Sequence, residues 1–507
     1  MTPSPPSPEN NAAEPTFPHP SYAKHVLRPA FDDARRLLFA PMLMANSAHL
    51  VMLSETGIIP AEAAGRVLAA LRQIAAAGAE AFSYAPAVED LFFAVEGQLI
   101  ALAGADAGGN LQIARSRNDL DAVMCRLMLR QRLLATVDQT LRLRQHLIDL
   151  AVANLETLMA GTTHTQPAQP TTLAHYFGGV LGPLARDTQR LADAYRRVNQ
   201  NPLGVAAFTT TGFPIDRDLT ADLLGFHGLV ENGYDAVGAS DHMLEATGAL
   251  VITASSLSRF VHDLLIWARP ENGTIRIADA FIQISSIMPQ KRNPVVLEHI
   301  RARIGYVYGD AATVATMVHS SAFGDTVDIE DDIYLPLARC FDAMHGVLDL
   351  MIAVIATLDV NRPLLAERAG RGFTTSTELA DTLVRRCGCS FRAAHAIVSA
   401  VVSGVAASGG DAPAIDAALV NRAAERVLGH ALALDDEMVR TALDPMAFVR
   451  ARTVAGGSAP DAMRQALDRH AALLDEDQAW LDAARRRLTT ADAERERRAA
   501  ALAALAD

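Results

Sequence analysis

The sequence predicts an all-α protein built round a bundle of long helices. Half of the 507 residues are hydrophobic but only 5% are aromatic. Ala and Leu supply most of the apolar content, and both favour helix over strand. Apolar residues recur at spacings of three, four and seven nearly everywhere, which fits amphipathic helices. The segments that carry them outrun the usual globular helix. Long striped helices bury their stripes against one another, and a bundle is the natural result. The stripes are broad enough to serve partner chains as well, so an oligomer is expected. The chain is too long for one ordinary core, and two or three domains are expected.

The elements follow in order. Residues 1–20, "MTPSPPSPENNAAEPTFPHP", are rich in Pro, Ser and Asn, and read as a disordered tail without signal-peptide character. Val67, Leu68, Leu71 and Ile74 form one stripe. A longer one holds Leu134, Val137, Leu141, Ile148, Val152 and Leu155, in a stretch from Cys125 to Ala160 free of Pro and Gly. A third segment, Ala239 to Ala268, carries Met243, Leu250, Leu257, Val261 and Leu264, and a fourth runs from Val295 towards Val318. Gly and Pro punctuate breaks at 103–110, 162–172, 201–214 and 268–276, and a later break at 368–378 leads into shorter helices. The last helix, from about Asp461, is rich in Ala, Arg and Glu and reads as a solvated or partner-packed extension.

Composition excludes several functions. A net charge of -13 argues against a nucleic-acid binder, which needs a basic face. Charges interrupt each apolar run, so no bilayer span is expected, and a cytoplasmic protein follows. Cys125, Cys340, Cys387 and Cys389 read as reduced thiols. The Cys387–Cys389 pair lacks the usual zinc spacing. With no metal cluster and no Gly-rich phosphate cradle, neither metal nor cofactor is expected.

Four breaks or helix ends concentrate polar groups. In "ARSRNDLD" (Ala114–Asp121), Ser116, Arg117 and Asn118 precede a long helix. A two-pronged guanidinium beside free helix N–H groups suits a carboxylate, although a helix cap with a surface arginine explains the same residues. In "GTTHTQPAQP" (Gly161–Pro170), His164 can shuttle protons, with Thr163 and Gln166 beside it to orient ring and ligand. The plainer reading is a hydrogen-bonded loop histidine. In "SSIMPQKRNP" (Ser285–Pro294), two prolines indicate a loop carrying Ser285, Ser286, Lys291 and Asn293. Such a loop can close over a substrate, or be a basic surface turn. Glu298, on the helix that follows, can hold His164 in one tautomer, or be a solvated helix residue. Together these residues point to proton-transfer chemistry on a small anionic molecule.

The same motifs carry a resemblance to the fumarase/aspartase superfamily, and within it to the argininosuccinate lyases. "SSIMPQKRNP" resembles the superfamily's signature loop, "RSRND" and "THTQPAQP" two further motifs, and "FTTSTELAD" (Phe373–Asp381) and "GGSAP" (Gly456–Pro460) the C-terminal region. The resemblance implies a three-domain, nearly all-helical fold whose long central bundle forms the core of a homotetramer. The divisions are 1–20 tail, 21–115 N-terminal domain, 116–370 central bundle with catalytic loop, and 371–507 C-terminal domain with an extended last helix. Each active site draws on three chains. The implied reaction is elimination of fumarate from an N-substituted aspartate, with a small dicarboxylate as partner and no cofactor. Ser285 removes a proton next to a carboxylate, and Lys291 and Asn293 neutralise the resulting aci-carboxylate. His164, oriented by Glu298, protonates the leaving nitrogen. Thr163, Ser116, Arg117 and Asn118 hold the succinyl part. Whether Ser285 or His164 is the base stays open at this point.

The chain departs from the family pattern at Pro167 and Ser240, where arginines are usual, and above all at "DTVDIEDDI" (Asp325–Ile333). There the groups that hold the amino-acid end of arginine are replaced by acids. Glu330, with Asp325, is read as facing the leaving amine, against the alternative of a solvated acidic loop. An ethylenediamine-disuccinate type of lyase and a catalytically silent structural homologue are the other readings. The intact Ser285, Lys291, Asn293, His164 and Glu298 favour activity.

Overall fold

A computed structural model describes residues 17–505. Most of the expected tail lies outside the described residues, and a first short helix already begins at Pro20. The fold is all-α. Its centre is a bundle of five helices: α5 (Arg117–Val152), α6 (Leu173–Val198), α8 (Asp241–Trp267), α9 (Val295–Val318) and α10 (Asp331–Ala356). At 1.5 Å per residue α5 is about 54 Å long. Helices α1 (Arg28–Leu37), α2 (Phe39–Glu55), α3 (Ala61–Ala77) and α4 (Leu91–Ala103) form a layer against it. A short α7 (Arg217–Leu224) packs against α2.

The stripes are buried as expected except at Val152, which is 53% exposed where α5 ends. Val67, Leu68, Leu71, Ile74, Leu134, Val137 and Leu141 all lie in one apolar cluster that draws residues from Phe31 to Ala503. After α11 (Arg362–Ala369), the helices α12 (Ser376–Cys387), α13 (Phe391–Ala407), α14 (Ala417–Leu428) and α15 (Asp436–Leu443) enclose a separate core around Leu379, Ile397, Val420 and Val439.

The final helix, α16 (Pro460–Ala503), differs from its sequence reading. It lies along α3, α5 and α6 of its own chain. Leu467, Leu474, Leu481 and Leu488 recur every seven residues, Met463 stands one turn before them, and all join the main core. The buried Arg144 of α5 donates to Asp477 of α16 and to Thr188 of α6, pinning the three helices together. The Ala-, Arg- and Glu-rich composition hid this narrow stripe.

Two more boundaries differ. Helix α5 stops at Val152, short of Ala160, and Asn154 closes the turn by donating to Leu150 O and accepting from Thr157. Residues 162–172, read as a break, belong to an antiparallel hairpin of β1 (Leu158–Thr163) and β2 (Gln166–Thr172). Pro167 and Pro170 fit because a two-stranded ladder leaves each strand an open edge. Two shorter ladders join β3 (Ile275–Arg276) to β6 (Asp359–Val360) and β4 (Gln283–Ile284) to β5 (Arg292–Asn293). Finally, α8 has an apolar window of 18 residues, long enough by composition to cross a membrane. Its charged residues crowd towards the ends, and the helix packs among α6, α9 and α10.

Candidate active site

The Ser116 motif is built as a helix N-terminus. Ser116 is the N-cap of α5, its Oγ accepting from Asn118 N and donating to Asn118 Oδ1 at 2.7 Å. Asp119 completes a capping box by accepting from Ser116 N at 3.0 Å. Its other oxygen accepts from Gly204 N at 2.8 Å and Ala206 N at 3.0 Å. One buried carboxylate thereby ties this motif to the 201–214 loop. Burial pushes Asp119 up to about 6 against the pull of those N–H groups and Arg115. Arg115 is buried too and donates to Asn46 at 2.7 Å, with burial pushing it down to about 10.

Arg117 is half-buried and already has own-chain partners. Its guanidinium lies 2.7 Å from Asp90 and 4.0 Å from Glu89. Asp90 caps α4, accepting from Phe93 N at 2.9 Å. Sequence reading missed Asp90. The signal was "VED" before an apolar run, a plain N-cap pattern that pointed only to a helix start.

The hairpin presents Thr163, His164 and Gln166 at its exposed tip. His164 and Thr165 form the turn with φ of 50° and 65°, the left-handed pair that closes a two-residue hairpin. Midway along β2, Gln169 donates to Thr377 at 3.1 Å, reaching the C-terminal helices. A cavity of about 730 Å³ opens beside β1, lined by Thr162, His175, Tyr176, Trp267, Met463 and His470. Its lining includes none of the proposed catalytic side chains.

Residues 285–291 form the tip between β4 and β5, and Ser286 and Lys291 are exposed. Ser285 is half-buried at the head of this turn. Its Oγ accepts from Met288 N at 3.0 Å and Ile287 N at 3.4 Å. Asn293 donates to Gln283 O at 3.0 Å across the ladder, and Lys291 N donates to Met288 O at 3.0 Å. Ile284 and Ile287 are over 80% exposed. Glu298 sits exposed in the first turn of α9. No hydrogen bond among the described residues joins it to His164, or the 285–293 loop to Ser116–Asn118.

One pair is brought together within the chain. Asn118 and Glu330 line the same small cavity between α5 and the start of α10. Burial, a hydrogen bond with Asp325 and the nearby Asp121 push the half-buried Glu330 up to about 10. Burial and Asp331 likewise raise Asp121 well above the usual carboxylate range. Asp121 and His242, another lining residue, gave no signal in sequence, because helix periodicity marks them only as parts of helices. Among the described residues no group of three His, Cys, Asp or Glu side chains has metal-holding geometry.

Comparison with known proteins completes the picture. Residues 36–309 match the lyase family, and residues 373–450 match the argininosuccinate lyase C-terminal family. Argininosuccinate lyase 1 of Shouchella clausii is 38% identical over 435 residues, covering 86% of this chain and 87% of that one. The argininosuccinate lyase of Natronomonas pharaonis is 40% identical over 462 residues, 91% of each chain. Among solved structures, an EDDS lyase variant with bound fumarate superposes with a TM-score of 0.86 at 30% identity, over 94% of this chain and 95% of that one. The class II fumarase of Schistosoma mansoni, at 15% identity and a TM-score of 0.64 over 83% and 90%, shares the fold. The protein is therefore a carbon–nitrogen lyase that belongs to the argininosuccinate lyase family of the fumarase/aspartase superfamily.

Proposed function

We propose that the enzyme catalyses the reversible β-elimination of fumarate from an N-substituted aspartate, as a cytoplasmic homotetramer without a cofactor. The relatives named above and the fumarate-bound neighbour support the reaction class. The observation that carries the assignment of Ser285 is the pair of backbone N–H groups aimed at its Oγ. A serine is a poor base at its ordinary pKa, and donors already directed at the oxygen stabilise the alkoxide. Lys291, three residues beyond Met288, adds positive charge.

In this mechanism the Ser285 alkoxide takes the proton from the carbon beside the departing succinyl carboxylate. The electron pair spreads onto that carboxylate, where Lys291 and Asn293 meet it and Ser286 donates. The C–N bond then breaks as the C=C bond of fumarate forms. His164, oriented by Glu298, gives the nitrogen its proton. Thr163, Gln166, Ser116, Arg117 and Asn118 hold the succinyl part. His164 and Ser285 both stand on exposed hairpin tips, and this favours an assembly in which different chains meet at each site. The domain boundaries near residues 115 and 370 belong to the same proposal.

The test is direct. Purified enzyme incubated with fumarate and a panel of amines should give N-substituted aspartates detectable by mass. A folded tetramer that makes no adduct with any amine, and releases no fumarate from argininosuccinate, refutes the lyase assignment.

A further inference from the structure

The proposed succinyl holders Ser116, Arg117 and Asn118 stand at the start of α5, and Asp119 fixes that start. Its side chain is fully buried. One oxygen accepts from Ser116 N at 3.0 Å, inside the motif. The other accepts from Gly204 N at 2.8 Å and Ala206 N at 3.0 Å, 85 and 87 residues further along the chain. A helix cap needs only the first of these bonds. The second pair makes Asp119 a clamp between two segments.

The 201–214 loop is shaped to meet that oxygen. Gly204 and Ala206 both have positive φ, 91° and 54°. Turns of this kind swing N–H groups to one side and form a cradle for an anion. Ala206 holds its conformation against the strain that a Cβ imposes there. Arg217 of α7 also holds the loop, donating to Leu203 O at 3.0 Å and to Val230 O at 2.9 Å. The anion in this cradle is a side chain of the protein itself, the residue after Asn118.

We infer that Asp119 is a positioning residue for the elimination: its carboxylate seats the 201–214 loop on the start of α5 and thereby sets Ser116 and Asn118 where they receive the succinyl part. The inference rests on the lyase reading above. Ser116 Oγ donates to Asn118 Oδ1 at 2.7 Å, so a shift of Ser116 moves both groups. Misplacing such groups by about 1 Å can cost about a hundredfold.

Charge and position make opposite demands here, and that separates them. Asp119 is an anion close to a site for anions. The charged or titratable groups around it are Arg115, Arg217 of α7, and, near Arg115, Glu96 of α4 and His49 of α2. Acidification can only add positive charge to this set, or to His164. By charge alone, fumarate would bind more tightly as pH falls. By position it binds more weakly, because protonation turns an acceptor oxygen of Asp119 into a donor facing N–H groups. Burial pushes Asp119 up to about 6, so the change falls where fumarate, whose carboxyls ionise at about 4, stays charged.

The experiment measures fumarate binding to the full-length enzyme by calorimetry, with no amine present. In the parent, the dissociation constant should rise about threefold from about pH 8 to about pH 5.5, given a protonated form that binds about tenfold less tightly. In Asp119→Asn the amide nitrogen only donates, so one set of N–H groups loses its acceptor. Its dissociation constant should be at least about tenfold higher at pH 8, and should not rise further on acidification. A residue that only stabilises the fold would lower the melting temperature and leave fumarate binding, measured well below the melt, unchanged. The parent's pH dependence needs no variant and decides the matter even where Asp119→Asn does not fold. Affinity in the parent that is constant or tighter at low pH, or unchanged in a folded Asp119→Asn, would overturn the inference while leaving the lyase reading intact. No fumarate binding at either pH, and no adduct with any amine, would overturn both.

Discussion

Ser285 accepts two backbone N–H groups from its own turn, and Ala at this position removes only that oxygen. The turn is exposed, so Ser285→Ala should melt within a few degrees of the parent protein. Fumarate release should fall by at least about a thousandfold, as expected when a proton acceptor is lost. Steady-state rates and a thermal melt on the same preparation decide it, and retention of most activity would rule Ser285 out as base. Glu330 makes the opposite trade. Its carboxyl is ordinarily ionised above 4.5 and is held protonated up to about 10 in the fold. The unfolded chain therefore loses this proton first, and the folded state is penalised increasingly as pH rises through that window. Glu330→Gln carries no such penalty, so without ligand it should stabilise the protein by about 1–3 kcal/mol at pH 8, and by less at pH 5. Denaturant midpoints at the two pH values test the sign.

At the level of elements, α16 is held by a buried ion pair as well as by its leucines. Arg144 is fully buried and shares Asp477 and Thr188 as partners. Asp477→Ala strands that guanidinium and should cost about 3 kcal/mol, read as a lower denaturant midpoint; little change would mean that Thr188 and water suffice. Helices were the most legible part of the sequence. The segments from Ala239 and Val295 fall within two residues of α8 and α9, because long stripes ended by Pro, Gly or polar breaks leave little freedom. The β1–β2 hairpin was not legible. Its turn, His164–Thr165, lacks the Asn-Gly or Gly signal, and its prolines read as breaks. Among site residues, the signature loop and Ser116–Asn118 could be read as motifs. Asp90, Asp121 and His242 could not, since their importance comes from what other helices bring beside them.

In the whole molecule the proposed catalytic groups stand apart on one chain, His164 on one hairpin tip and Lys291 on another. If sites are shared between subunits, His164→Asn and Lys291→Met proteins, each inactive alone, should regain part of the activity when unfolded together and reassembled. Light scattering should report a tetramer for the parent and both variants. A verified mixed tetramer with no activity would count against shared sites.

The main core contains Phe31 near one end of the chain and Ala503 near the other. On the ribosome, synthesis runs from the first towards the second. The layer of α1–α4 and the groove on α5 that receives α16 are made early and wait, apolar side out, until the last helix leaves the exit tunnel. The α12–α15 core, by contrast, is closed within a continuous stretch of sequence. A nascent chain stalled before residue 460 should therefore present the groove to holding chaperones, and the main core should close only once residues 460–503 have emerged.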